Sequence, residues 1–197
     1  WPACPRTFSG TRSWVRPPGG HDSGPGPPRQ PDASPGIILH GSSWYRSSGT
    51  ERTPGTKIFS ISGDVRKPGC YEAEAGVKLN DLINGLAGGT SDGKPWKAVL
   101  VGGAAGTFVP YSYSDLSMCY ETLKEKGATL GSGAVIVAGS NRKIIPLIQS
   151  ILRFFRHESC GKCVPCRIGT AYLHERSMEL SGNGPDERLS ILDDILD

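Results

Sequence analysis

Three evenly spaced cysteines are the residues of this sequence that point most directly to a chemistry. Cys160, Cys163 and Cys166 are each separated by two residues, within the segment ESCGKCVPCRIG. Thiolates are soft ligands that suit the iron of iron–sulfur clusters and also zinc. Two consecutive C-x-x-C spacings let one loop reach three corners of a cubane cluster, and Gly161 permits the tight turn this requires. The run therefore predicts that these three cysteines are ligands of a [4Fe–4S] cluster.

Two other chemistries of the run stay open. Structural zinc usually takes its ligands as two separated pairs, and no second C-x-x-C is present, although His157 or His174 could complete a zinc site. A dithiol redox couple requires a thioredoxin-like context, and the third cysteine at the same interval argues against it.

The fourth ligand of a cubane is not evident in the sequence. Cys4, Cys70 and Cys119 are remote from the run. We therefore expect the fourth ligand beyond Asp197. Neighbouring Lys162 and Arg167 would offset part of the negative charge of a thiolate-ligated cluster, which tends to raise its potential.

Composition excludes several classes of protein. The net charge is +3, but residues 57–197 carry sixteen basic and sixteen acidic side chains, so no basic face requires nucleic acid as a partner. No apolar stretch approaches the roughly 18 residues of a membrane span. Cysteines clustered as C-x-x-C indicate a reducing compartment more than a disulfide scaffold. Because the chain begins at Trp1, we expect it to be a fragment.

The residues before the cysteines divide into two predicted regions. Residues 1–51 are expected to be disordered or non-native sequence, since ten of the sixteen prolines precede Lys57. Residues 52–140 are expected to form a compact α+β domain whose sheet wraps around one helix. Its predicted elements are strands at 57–62, 70–73, 97–101 and 134–138, a helix at 78–86 ended by Gly88 and Gly89, and a helix at 115–124 with Asp115 as its N-cap.

Residues 141–197 are expected to be helical. From Lys143 the apolar positions 144, 145, 148, 151, 152 and 155 fall on one broad face, so this helix leads directly to the cysteines. A second helix is predicted at 168–180, a polar break at 181–186, and the start of a third helix at 189–196.

The cysteine segment resembles the cluster motif of the flavin- and NADH-binding (51 kDa-type) subunit of respiratory complex I. The same motif occurs in related subunits of NAD-reducing and bifurcating hydrogenases and NAD-dependent formate dehydrogenases. Upstream, GTKIFSISGDV at 55–65, followed by PG and YE, is similar to the opening of that family's soluble-ligand-binding β-grasp domain. The glycine turns VGGAAG at 101–106 and GATLGSG at 127–133 also match, and neither has the pattern of a nucleotide-binding loop.

The resemblance implies an α+β fold, with a β-grasp-like domain followed by a truncated α-helical [4Fe–4S] domain. It also implies an oxidoreductase in which NADH reduces FMN by hydride transfer and the cluster takes electrons singly, with Cys160, Cys163 and Cys166 as ligands. FMN and NADH would bind an N-terminal domain that residues 1–51 do not contain, so we expect no NADH dehydrogenase activity from this fragment alone.

Implied partners are the other electron-transfer subunits of a multi-subunit oxidoreductase, including a 2Fe–2S 24 kDa-type subunit. The acceptor would be quinone, hydrogenase or formate dehydrogenase. The implied location is the bacterial cytoplasm, at the inner face of the membrane without insertion into it. The alternative function is a non-catalytic binding module with structural zinc or a docking role.

Overall fold

The computed structural model describes residues 33–179. The chain divides into two compact units between Asn141 and Arg142. Cys4, the polar break at 181–186 and the predicted helix at 189–196 lie outside the described residues, as does the expectation of disorder for residues 1–32.

Residues 33–51 precede the sheet and include one helix. Helix α1 (Ala33–Arg46) consists of two helical pieces joined at Gly41, where φ is +80°, and none of its residues is buried. The segment after it is held by backbone hydrogen bonds, because the Gly55 amide donates to the Ser48 carbonyl at 2.7 Å. The residues just before the domain are thus tied to it, which composition alone does not reveal.

A five-stranded mixed sheet forms the first unit. Its strands are β1 (Thr56–Gly63), β2 (Gly69–Glu74), β3 (Ala98–Val101), β4 (Thr107–Pro110) and β5 (Ala134–Ala138). Their order across the sheet is β2-β1-β5-β3-β4, in which β1 and β5 run parallel and every other neighbouring pair is antiparallel. The four predicted strands are confirmed, and β1 and β2 form an antiparallel hairpin.

The core lies between one face of this sheet and a helical turn. Alternate residues of β1, β3 and β5 are at most 2 % exposed, and so are Leu79, Leu82 and Ile83 of the segment that packs with them in one cluster. That segment ends in a π-helix, Asp81–Leu86, in which the Ala87 amide donates to the Leu82 carbonyl. The α+β prediction, with a sheet around one helix, is confirmed.

The predicted start of the helix at Asp115 is wrong. Helix α2 (Tyr120–Glu125) begins five residues later, and the Asp115 carboxylate instead pairs with Lys78 Nζ at 3.3 Å. The intervening residues are extended because Leu116 and Met118 are buried, and the Leu79 amide donates to the Leu116 carbonyl at 2.9 Å. Burial of two alternate side chains therefore prevails over a favourable capping residue.

Two helices form the second unit, α3 (Ile144–Glu158) and α4 (Val164–Glu179). They pack on each other, with Ile151 buried and the Gln149 side-chain amide donating to the Ser177 carbonyl at 2.6 Å. The six apolar positions predicted for α3 are all buried or half-buried. Helix α4 begins four residues before the predicted position. No helix within residues 33–179 is long and apolar enough to cross a membrane.

Replacing Gly63 tests the junction at the end of β1. Its φ is +92°, and an added Cβ would lie 2.2 Å from the Val137 carbonyl oxygen of β5. We expect Gly63→Ala to lower the free energy of unfolding by about 2–4 kcal/mol, from backbone strain and the clash with a fixed carbonyl. Chemical denaturation followed by circular dichroism measures this.

Gly85→Ala is the matched control, because an added Cβ there meets nothing within 4 Å and φ is not in the left-handed region. We expect it to be neutral or to stabilise by up to about 1 kcal/mol. Equal effects of the two substitutions would contradict the assignment.

Candidate metal centre

The three clustered cysteines lie where the chain enters α4. Cys160 is in the loop that follows α3, Cys163 immediately precedes α4, and Cys166 is the third residue of that helix. All three side chains are exposed. One segment of seven residues therefore carries three thiols that are exposed on the surface of the second unit.

The loop has an internal framework of hydrogen bonds around Gly161. This glycine has φ +72°. Its amide donates to the Ser159 hydroxyl oxygen at 3.3 Å, and its carbonyl accepts from Arg167 Nη1 at 2.8 Å. Both polar groups of the glycine backbone are thus satisfied by side chains on either side of it, which fixes the turn between Cys160 and Cys163.

Two of the thiols stand at a helix N-terminus. The Cys163 carbonyl accepts from the Arg167 amide at 3.0 Å, which is the first hydrogen bond of α4. The unpaired amides of a first helical turn favour nearby negative charge. Lys162 and Arg167 add positive charge beside the same turn. A negatively charged cluster is therefore favoured here.

The thiols do not converge in this conformation. Cys166 Sγ donates to the Ser159 hydroxyl oxygen at 3.3 Å. Within residues 33–179, no three His, Cys, Asp or Glu side chains are placed to hold a metal ion together. The donor set nevertheless fits an iron–sulfur cluster, since it consists of three accessible soft sulfurs on one short segment.

Cys70, Cys119, His157 and His174 form no metal-binding group with the cysteine run in the described part of the chain. Cys119 is buried, with its Sγ 3.1 Å from Thr122 Oγ1, and Cys70 lies half-buried on β2. His157 Nδ1 pairs with Glu158 Oε1 at 3.0 Å, while His174 Nδ1 is buried without a hydrogen-bond partner. Neither imidazole joins the cysteine run in the described part of the chain.

Sequence reasoning missed the positioning groups of the loop. Ser159 holds both the Gly161 amide and Cys166 Sγ, and Arg167 holds the Gly161 carbonyl. A serine two residues before a glycine is a signal of a serine turn, which could have indicated the first contact. The contact of Arg167 depends on how the loop folds back, which spacing does not encode.

Two family models match separate regions of this chain. Residues 57–137 match the SLBB domain, and residues 146–197 match the NADH-ubiquinone oxidoreductase-F iron-sulfur binding region.

Several curated relatives are similar over most of this chain. It is 42 % identical over 135 residues to the F 2 subunit of NADH-quinone oxidoreductase in Rhizobium meliloti, covering 68 % of this chain and 32 % of the relative. It is 38 % identical over 169 residues to the F subunit of NADH-quinone oxidoreductase in Rickettsia felis, covering 82 % and 40 %. The chain thus spans about a third to two fifths of these relatives.

Solved structures agree with this similarity. The crystal structure of an NAD⁺-reducing [NiFe]-hydrogenase in its air-oxidized state superposes with a TM-score of 0.66 at 32 % identity, covering 78 % of this chain and 26 % of that one. Its H₂-reduced state gives a TM-score of 0.68 at 32 % identity, covering 80 % and 26 %.

Replacing Gly161 tests whether its turn prepares the cysteines for iron. The strain of an L-residue at φ +72° is about 1–2 kcal/mol. We expect Gly161→Ala to weaken iron retention about five- to thirtyfold. The measurement is the iron and sulfide retained after anaerobic reconstitution against a graded chelator.

Gly169→Ala in α4 is the matched control, because an added Cβ there meets nothing within 4 Å. Iron retention of this variant should equal that of the unchanged chain. If Gly161→Ala retains iron equally well, the turn does not prepare the site.

Proposed function

Residues 57–197 belong to the family of flavin- and NADH-binding (51 kDa-type) subunits, of which the F subunit of NADH-quinone oxidoreductase is a member, and from this we propose that the intact protein is an NADH-oxidising electron-transfer subunit. The observation that carries the proposal is the exposed set of three thiols on one glycine turn at the N-terminus of α4. The activity of the whole protein stays a proposal because the chain spans less than half of these relatives.

The proposal gives the three cysteines and Arg167 different roles. Cys160, Cys163 and Cys166 would hold a [4Fe–4S] cluster through their sulfurs, and none of them transfers a proton. Arg167 holds the loop through the Gly161 carbonyl and adds positive charge beside the thiolates. When bound, such a cluster would supply one-electron transfer, and the FMN implied by the family would supply hydride transfer from NADH.

Positive charge beside the thiolates has a further consequence for electron transfer. Added electrons increase the negative charge of a thiolate-ligated cluster, so cations and helix amides nearby favour its reduced form. Lys162, Arg167 and the first turn of α4 would therefore raise the reduction potential.

The partners are proposed from the same family. The relatives are named as quinone oxidoreductase subunits, and the superposed structure is of an NAD⁺-reducing hydrogenase. We propose a multi-subunit oxidoreductase in which this subunit passes electrons towards quinone, hydrogenase or formate dehydrogenase, with a 2Fe–2S 24 kDa-type subunit beside it. The proposed location is the bacterial cytoplasm, at the inner face of the membrane.

Anaerobic reconstitution of this chain with iron and sulfide tests the ligand assignment. We expect broad visible absorption and the paramagnetic resonance of a cubane or its three-iron derivative, with the fourth iron labile where the chain offers no fourth thiolate. Cys163→Ser should abolish assembly, because a hard hydroxyl replaces the middle soft ligand.

Cys70→Ser is the control, since this half-buried residue lies on β2 in the first unit. It should leave the iron content and the spectrum unchanged. Stoichiometric zinc uptake without iron under reducing conditions would refute the cluster and leave the zinc-binding module as the function of the loop.

A further inference from the structure

A cavity of about 340 Å³ opens in the first unit, beside the end of the π-helix. Arg66, Asn84, Lys94, Trp96 and Tyr111 contribute side chains to its wall, and glycines 88, 89 and 93 contribute backbone. The volume falls within the range of small-molecule sites, roughly 300–1,000 Å³. Nothing in the proposed electron-transfer function uses this cavity.

The backbone of the cavity is built by the core. The Arg66 amide donates to the Gly89 carbonyl at 3.0 Å, which joins the β1–β2 loop to the turn after the π-helix. The Gly89 and Gly93 amides donate to the Ile83 and Thr90 carbonyls, so they are not available to a ligand. The glycines thus leave room in the cavity. Because their amides are already hydrogen-bonded, side chains must supply the hydrogen bonds and charges that hold a ligand.

Two cations at the cavity have no carboxylate partner. Neither the Arg66 guanidinium nor the Lys94 ammonium forms an ion pair with any of the described residues. Arg66 Nη2 lies over Gly93, where an added Cβ would be 3.2 Å away, so the guanidinium is directed across the glycine turn. A guanidinium and an ammonium from two residues that line one cavity suit an anion.

Asp92 is the acidic residue of the same turn, and its charge is already engaged. Its Oδ1 accepts from the Lys94 amide at 3.0 Å and its Oδ2 from the Ser140 hydroxyl at 2.9 Å. The Lys94 amide and the Ser140 hydroxyl lower the pKa of this carboxyl, so it is ionised at neutral pH and fixes the turn that carries Lys94.

Trp96 and Tyr111 form the aromatic part of the cavity lining. Trp96 is 2 % exposed, and its Nε1–H is buried with no partner. Tyr111 packs edge-on against the Trp96 ring, with centroids 4.9 Å apart, and is itself 43 % exposed.

We propose that this cavity binds a small phosphate-bearing molecule, with Arg66 and Lys94 holding the phosphate and Tyr111 forming the side against which the rest of the ligand lies. Phosphate is favoured over a carboxylate because a guanidinium that engages two phosphate oxygens leaves a further oxygen for the lysine, whereas a carboxylate has only two oxygens. The site lies wholly within the first unit and involves no iron.

Titration of the ¹⁵N-labelled chain with inorganic pyrophosphate tests the proposal, with the Trp96 indole N–H and the amides of residues 88–94 as probes in two-dimensional NMR. We expect saturable shifts confined to these signals, and weaker binding of citrate, whose carboxylates carry similar charge. The double variant Arg66→Gln, Lys94→Gln should bind pyrophosphate at least tenfold more weakly. Both side chains are exposed, so the fold should survive, which circular dichroism verifies.

A matched double variant controls for loss of net charge. Lys124→Gln, Lys143→Gln removes two exposed cations that do not line the cavity, and its affinity should equal that of the unchanged chain. Absence of saturation, equal affinity for citrate, or equal weakening in both double variants would overturn the proposal. Because no iron is added, none of these results bears on the assignment of the cluster ligands.

Discussion

Burial of one helical turn against one face of a sheet is the interaction on which the first unit depends. Leu79, Leu82 and Ile83 are fully buried against alternate residues of β1, β3 and β5. Each such side chain contributes about 1.5–3 kcal/mol when removed from water. This packing places the turn at Gly88 and Gly89 beside the β1–β2 loop. The position of the cavity next to Arg66 therefore depends on the packing of the core.

The cysteine loop depends on polar contacts instead. Only Ile151 and Ser177 are buried among the described residues of the second unit, and the loop between α3 and α4 is held by the Ser159 hydroxyl and the Arg167 guanidinium. Such contacts permit rearrangement at low cost, whereas the tightly packed first unit resists it. Soft ligands on an adaptable loop suit the binding of an inorganic cluster, which imposes its own geometry on the thiols.

Alternation and helical periodicity were sufficient for most of the fold, and their failures have local causes. Strand β4 escaped prediction because it has four residues and a single buried side chain, Val109. The expected start of α2 at Asp115 failed because Leu116 and Met118 are drawn into the core. At the site, cysteine spacing predicted the candidate ligands, and the described structure places them on one segment without testing the ligation. The contacts of Ser159 and Arg167 form only when the chain turns at Gly161. Residue spacing in the sequence therefore could not predict them.

The strand order has a consequence for how the first unit comes to fold. Strand β5 is last in the chain but central in the sheet, and Ser60 of β1 pairs with Ala134, 74 positions later (134 minus 60). Until β5 is added, β1–β2 and β3–β4 are two separate hairpins with open edges, and isolated hairpins are marginal in water. Pairing across so long a loop makes folding slow. On the ribosome, the sheet is therefore completed only after Ala138 has emerged, and the nascent hairpins are exposed to aggregation until then.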